Sequence, residues 1–228
     1  MSDKNGDRGG TRRGPLARIG GALTNIGDSL AERPLDHRLG LTKSIGQQYY
    51  ERSLKAFQDD DLENAILDVS EAIHHDRGYA EYYAARGLYY LTDNKQNEAE
   101  RDLTYALTVN PREWLANYLL ATLDFQEGDY AAAIKRLTDA QKSAPDRPEI
   151  LYYRAVAYHE INEDEKAVAD IDRALNLLPS DDKRRKDATA WLREFKKSMP
   201  AKPIGEKKPV KPAAIEAPPD RPQLKSGD

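Results

Sequence analysis

The chain has 228 residues, of which 32% are charged and 39% hydrophobic, with no cysteine and a net charge of −4. The missing cysteines exclude disulfides and thiolate metal sites, and no run of about 18 apolar residues is present to span a membrane. Residues 43–198 hold 22 basic and 30 acidic side chains while each flank is near +2, and an acidic centre argues against broad nucleic-acid binding, which needs clustered Lys and Arg to displace counterions.

Residues 1–42 are rich in Gly and Arg and read as a flexible segment. Within them Leu16, Ile19, Leu23, Ile26 and Leu30 are spaced by three, four, three and four, which puts them on one helical face. Pro15 suits a helix start and Pro34 a stop, so the pattern predicts an amphipathic helix over 15–32. Arg8, Arg12, Arg13 and Arg18 precede or join it, and no acid lies between Asp7 and Asp28. Gly20, Gly21 and Gly27 each cost about 1 kcal/mol of helix propensity. The segment is therefore expected to fold on something else: the acidic centre, a partner, or an anionic membrane surface. The N-terminus has no apolar core of a secretory signal, so the expected location is the cytoplasm.

From about residue 43 a period of 34 takes over. Ala65, Ala99, Ala133 and Ala167 are spaced by it, and so are Ala72, Ala106, Ala140 and Ala174. The same phase relates the small residues Ser53, Gly87, Ala121 and Ala155, and the apolar residues Val69, Leu103, Leu137 and Ile171. It also relates Asp60, Asn94, Gly128 and Asn162, types that tolerate tight turns, and Pro111, Pro145 and Pro179. Each unit reads as a helix of about fourteen residues, a turn and a second such helix. Small residues mark where two helices cross closely, and proline falls in the loop before the next unit. One hairpin cannot bury its apolar face alone, so neighbours stack into a continuous core.

This pattern resembles the tetratricopeptide repeat family, most clearly in Tyr83, Gly87, Tyr90, Ala99, Leu103, Ala106 and Pro111. The resemblance implies an all-α, right-handed superhelical solenoid with four hairpins at about 46–79, 80–113, 114–147 and 148–181. Three departures stand out: Arg77 at a proline position, and Ala56 and Asp124 where Tyr90 and Tyr158 stand in their own units. Residues 183–198 carry Ala188, Trp191, Leu192 and Phe195, the stripe of a capping helix that Asp181 or Asp182 could start. The domain is thus expected over 43–198. Residues 199–228 hold seven of the thirteen prolines and read as a disordered Pro/Lys-rich tail.

A second regularity carries charge. Arg52, Arg86 and Arg154 precede the small residue of their units, and Asp68, Asp102 and Asp170 follow sixteen residues later. In the third unit both members change together, to Leu120 and Arg136. The antiparallel hairpin predicts structural ion pairs Arg52–Asp68, Arg86–Asp102 and Arg154–Asp170, with Asp124 serving Arg136 in the third unit.

By the resemblance, the first helices line a concave groove that grips a peptide or helix. Its groove-facing phase falls on Tyr50, Leu54 and Phe57, then on Ala84, Leu88 and Leu91. It continues on Leu115, Tyr118, Thr122 and Phe125, and on Tyr152, Val156 and His159. Such a surface suits an apolar or amphipathic partner segment, and Glu81, Glu149 and Glu160 at its edge favour basic flanks. Family members that clamp the carboxylate tails of heat-shock chaperones use Lys, Asn and Arg. The matching positions here (Tyr50, Leu54, Ala85, Leu115 and Leu119, or one unit on Ala84, Leu88, Leu119, Glu149 and Tyr153) offer no cation.

Catalysis finds no support. His74 and His75 are adjacent and project apart, His37 and His159 stand alone, and no Gly-rich phosphate loop follows a strand. No metal and no cofactor is expected. The sequence therefore predicts a non-catalytic scaffold, adaptor or assembly factor that binds a protein segment. The alternative is a peripheral membrane scaffold held by the basic N-terminal helix.

Overall fold

The computed structural model describes residues 43–199, so the helix predicted over 15–32 and the tail from residue 200 lie outside the described residues. Among the described residues there are nine helices and no strands. Four hairpins follow one another: α1 (Ile45–Gln58) with α2 (Leu62–His75), α3 (Ala80–Thr92) with α4 (Gln96–Val109), α5 (Trp114–Glu127) with α6 (Tyr130–Ser143), and α7 (Pro148–Glu160) with α8 (Asp164–Leu177). A ninth helix, α9 (Arg184–Ser198), packs on α8. None is long and apolar enough to cross a membrane.

The turns inside the hairpins follow from backbone chemistry. Asp60, Asn94 and Asn162 take φ of 61°, 57° and 62°, and Gly128 takes 82°. These are left-handed conformations, which Gly, Asn and Asp enter at least cost. Each lets the chain reverse at once into the second helix, and Asp61 and Asp129 then cap α2 and α6 through Asn64 N at 3.2 Å and Ala132 N at 2.9 Å. Arg77 is accommodated at the proline position of the first unit, where Asp76 accepts from Gly78 N at 3.0 Å.

The small residues set how closely the helices cross. Ala65, Ala99, Ala133 and Ala167 are fully buried, as are Ala72, Ala106 and Ala140. Gly87 is the tightest point, since a Cβ there would stand 2.7 Å from Cγ and Cδ2 of Leu103. Val69, Leu103, Leu137 and Ile171 fill the space beside the alanines. Each first helix packs on its own second helix and on the second helix of the hairpin before it, so one core runs the length of the array. At its end α9 sets Ala188 and Phe195 into that core, with Trp191 and Leu192 half-buried beside them. Its start is held by Asp182, whose Oδ1 accepts from Arg184 N at 2.8 Å.

Candidate protein-interaction surface

The charged pairs stand inside the hairpins. Arg86 donates Nε to Asp102 Oδ2 at 2.6 Å and Nη2 to Oδ1 at 2.9 Å. Arg154 does the same to Asp170 at 2.7 and 2.8 Å. Arg52 reaches Asp68 through Nε at 2.6 Å and also through Nη2. In the third hairpin the polarity is reversed: Arg136 on α6 donates Nε to Asp124 on α5 at 2.7 Å. Burial pushes the Asp124 carboxyl above its ordinary range despite the attraction of Arg136. The pairs differ in solvation, because the Arg52 side chain is 63% exposed and that of Arg154 only 10%.

Two of these arginines also tie one hairpin to the next. Arg86 Nη1 donates to Ser70 Oγ of the previous second helix at 3.3 Å, and Arg154 Nη1 donates to Thr138 Oγ1 at the same distance. Their guanidinium groups sit 5.9 Å from the Tyr90 ring and 6.0 Å from the Tyr158 ring. Asp124 occupies the equivalent position in the third hairpin and answers a cation from the other helix. The hydroxyl link was missed from the sequence. Its signal was there, since Ser70, Thr104 and Thr138 share the 34-residue phase.

The inner face departs from the expected open groove. Leu54, Leu88, Leu115, Tyr118, Thr122, Phe125 and Val156 are all buried. Tyr118 meets Tyr153 edge-on with ring centroids 5.6 Å apart. Tyr50, Phe57, Leu91, Tyr152 and His159 are half-buried. Tyr50 and Phe57 lean on the next hairpin through Tyr82 at 4.8 Å and Tyr89 at 4.7 Å. His159 is a structural link rather than a groove residue: Nδ1 lies 2.5 Å from Asp164 Oδ1 and the ring lies 4.6 Å from Phe195 of α9. Burial alone would raise the Asp164 carboxyl, but hydrogen bonds from His159 and Ser198 bring it below its usual range. Of the acids at the edge, Glu149 is bound to Arg147 at 3.3 Å, while Glu81 and Glu160 are exposed.

At the centre of the face the Tyr118 hydroxyl is buried and has no hydrogen-bond partner among the described residues. Burial, then the neighbouring Tyr153 and Glu149, push its phenol well above the usual range. No group of three or more His, Cys, Asp or Glu side chains that could hold a metal occurs among the described residues.

Consecutive helical hairpins on one shared core define a helical-repeat solenoid, the architecture of a protein-interaction scaffold. The model of the tetratricopeptide repeat family matches residues 84–135 and 118–182, which span the second hairpin to the fourth. Over residues 84–182 the chain is similar to tetratricopeptide repeat proteins. Its fold is similar to PilF of Pseudomonas aeruginosa, with 18% identity, a TM-score of 0.55, and coverage of 68% of this chain and 74% of that one. It is similar to MamA of Desulfovibrio magneticus RS-1, residue 41 to the end, with 18% identity, a TM-score of 0.51, and coverage of 69% and 95%. It is also similar to a tetratricopeptide repeat protein from Parabacteroides merdae, with 19% identity, a TM-score of 0.52, and coverage of 67% and 60%. No curated protein sequence matches the chain.

Proposed function

We propose that this protein is a non-catalytic scaffold whose inner face holds an apolar or amphipathic segment of a protein partner. One observation carries the reading: four successive first helices repeat apolar and aromatic side chains in the 34-residue phase (Tyr50, Tyr118 and Tyr152; Phe57 and Leu91), and Tyr50, Phe57, Leu91 and Tyr152 are only partly buried. Side chains at this period on parallel helices match a partner helix with anchors at i, i+3, i+4 and i+7. The unpartnered Tyr118 hydroxyl adds a polar handle that a bound chain can satisfy. Glu81 and Glu160 on the rim favour a partner with basic flanks.

The test is selection of 16-residue peptides on the full-length chain, followed by titration against Leu91→Glu and Tyr152→Glu. Both residues are half-buried, so a carboxylate there disturbs binding with little effect on the core. Glu at Tyr118 or Phe125, which are buried, would unfold the hairpin instead. The reading predicts amphipathic ligands that bind the variants at least tenfold more weakly, with unchanged helical circular dichroism. Selected peptides that bind wild type and both variants equally would refute it.

A further inference from the structure

The inner face is covered, and the array does not account for the cover. On α5 every residue from Trp114 to Leu123 is buried, as is Phe125. At 100° per residue, ten consecutive buried positions sample every side of a helix. Among the described residues α5 packs on α6 and α4 behind it and on α3 and α7 at its flanks. Those four helices occupy the back and the two sides. The side holding Tyr118 and Thr122 faces inward, yet both are buried.

We infer that residues 15–32 fold back as an amphipathic helix onto the inner face of their own chain, so that a partner binds by displacing them. The inference rests on the inner face being a binding surface. Length favours it: Leu16 to Leu30 as a helix spans about 21 Å. Three first helices, α3, α5 and α7, span about 20 Å at roughly 10 Å per step. Reach favours it: residues 33–44 join the segment to α1 and extend up to about 40 Å. Charge bears on the residues leading into it: Arg8, Arg12 and Arg13 precede the segment and Arg18 lies in its first turn, with no acid between Asp7 and Asp28, while residues 43–198 are near −8; the Asp28 and Glu32 end carries no such attraction. The glycines that leave the segment unstable alone also make it readily displaced.

The experiment keeps the full chain and changes the segment by Ile19→Glu, Leu23→Glu and Ile26→Glu together. Hydroxyl-radical footprinting reads side-chain exposure at Tyr118 and Tyr152, and a labelled synthetic peptide of residues 13–34 reads affinity. A tethered occupant has an effective concentration of about 1 mM. A segment that binds tighter than about 100 μM therefore weakens peptide binding to wild type at least tenfold relative to the variant. The expected result is that weakening, with a several-fold rise in Tyr118 and Tyr152 oxidation in the variant. Equal peptide binding to both chains overturns the inference alone, because the face then binds helices but residues 15–32 are not its cover. No binding and unchanged footprints overturn both this inference and the inner face as a binding surface. Protection that grows with protein concentration, together with a dimer by light scattering, overturns it in favour of a second copy. Sedimentation of wild type with phosphatidylserine vesicles, with Tyr118 already oxidised freely, overturns it in favour of a membrane.

Discussion

Replacing Asp170 with alanine tests whether the repeated ion pair is structural, because the chain contains its own control. In the fourth hairpin both partners are nearly out of solvent, with side-chain exposures of 10% for Arg154 and 12% for Asp170. Removing the carboxylate strands a guanidinium that had donated to it twice, at 2.7 and 2.8 Å, and leaves it only Thr138 at 3.3 Å. Breaking one side of a buried pair costs about 3–5 kcal/mol, and the surviving Thr138 contact puts this case near 3 kcal/mol. For a domain of this size that is a drop in Tm of roughly 6–12 °C. Asp68→Ala removes the same chemistry from the first hairpin, but Arg52 is 63% exposed and water takes over its donors. Urea unfolding followed by circular dichroism on both variants gives the comparison. The account predicts a large loss for Asp170→Ala, a small one for Asp68→Ala, and recovery of at least half the loss in Arg154→Leu/Asp170→Leu, where no charge is stranded. Equal losses at the two ends, or no recovery in the double variant, would refute the reasoning.

Three further outcomes are expected. Tyr118→Phe removes a buried hydroxyl without a partner among the described residues, and stability by urea unfolding should rise by up to about 1 kcal/mol. Asn94→Gly relieves a residue at φ 57° and should be neutral or stabilising, whereas Asn94→Val should lose about 1–2 kcal/mol, both read from the same unfolding curves. Asp182 is held below the usual carboxylate range by its hydrogen bonds to Arg184, so its contribution is present above its unfolded value near pH 4 and lost as pH falls through the lower folded value. The stability gap between wild type and Asp182→Asn should therefore be steady at neutral pH and close below about pH 4.

Much of this architecture was legible in the sequence because its determinants are local. A left-handed turn restricts residue type whatever surrounds it, so Asp60, Asn94, Gly128 and Asn162 stood out at one spacing. Close helix crossings restrict size in the same way, which is why the two alanine series and Gly87 were visible. The inner face was not legible. Its apolar residues obey the helical period equally well whether they face solvent or another element, and Tyr118 and Val156 proved fully buried. His159 was misplaced for a related reason: its partners Asp164 and Phe195 come from two later helices, and no periodicity links the three. The Arg86–Ser70 and Arg154–Thr138 links lie between hairpins, and their trace in the sequence is the shared phase of Ser70, Thr104 and Thr138, which marks the hydroxyls without naming their partners.

The central claim is that a partner is held on the inner face and not on the outer helices. Photo-crosslinking tests it directly, with p-benzoylphenylalanine placed in turn at Tyr152 on α7, at Leu91 on α3, and at Tyr105, an exposed residue of the second helix α4. The account predicts that a selected amphipathic peptide is captured from positions 152 and 91 and not from 105. Capture from position 105 alone would contradict it.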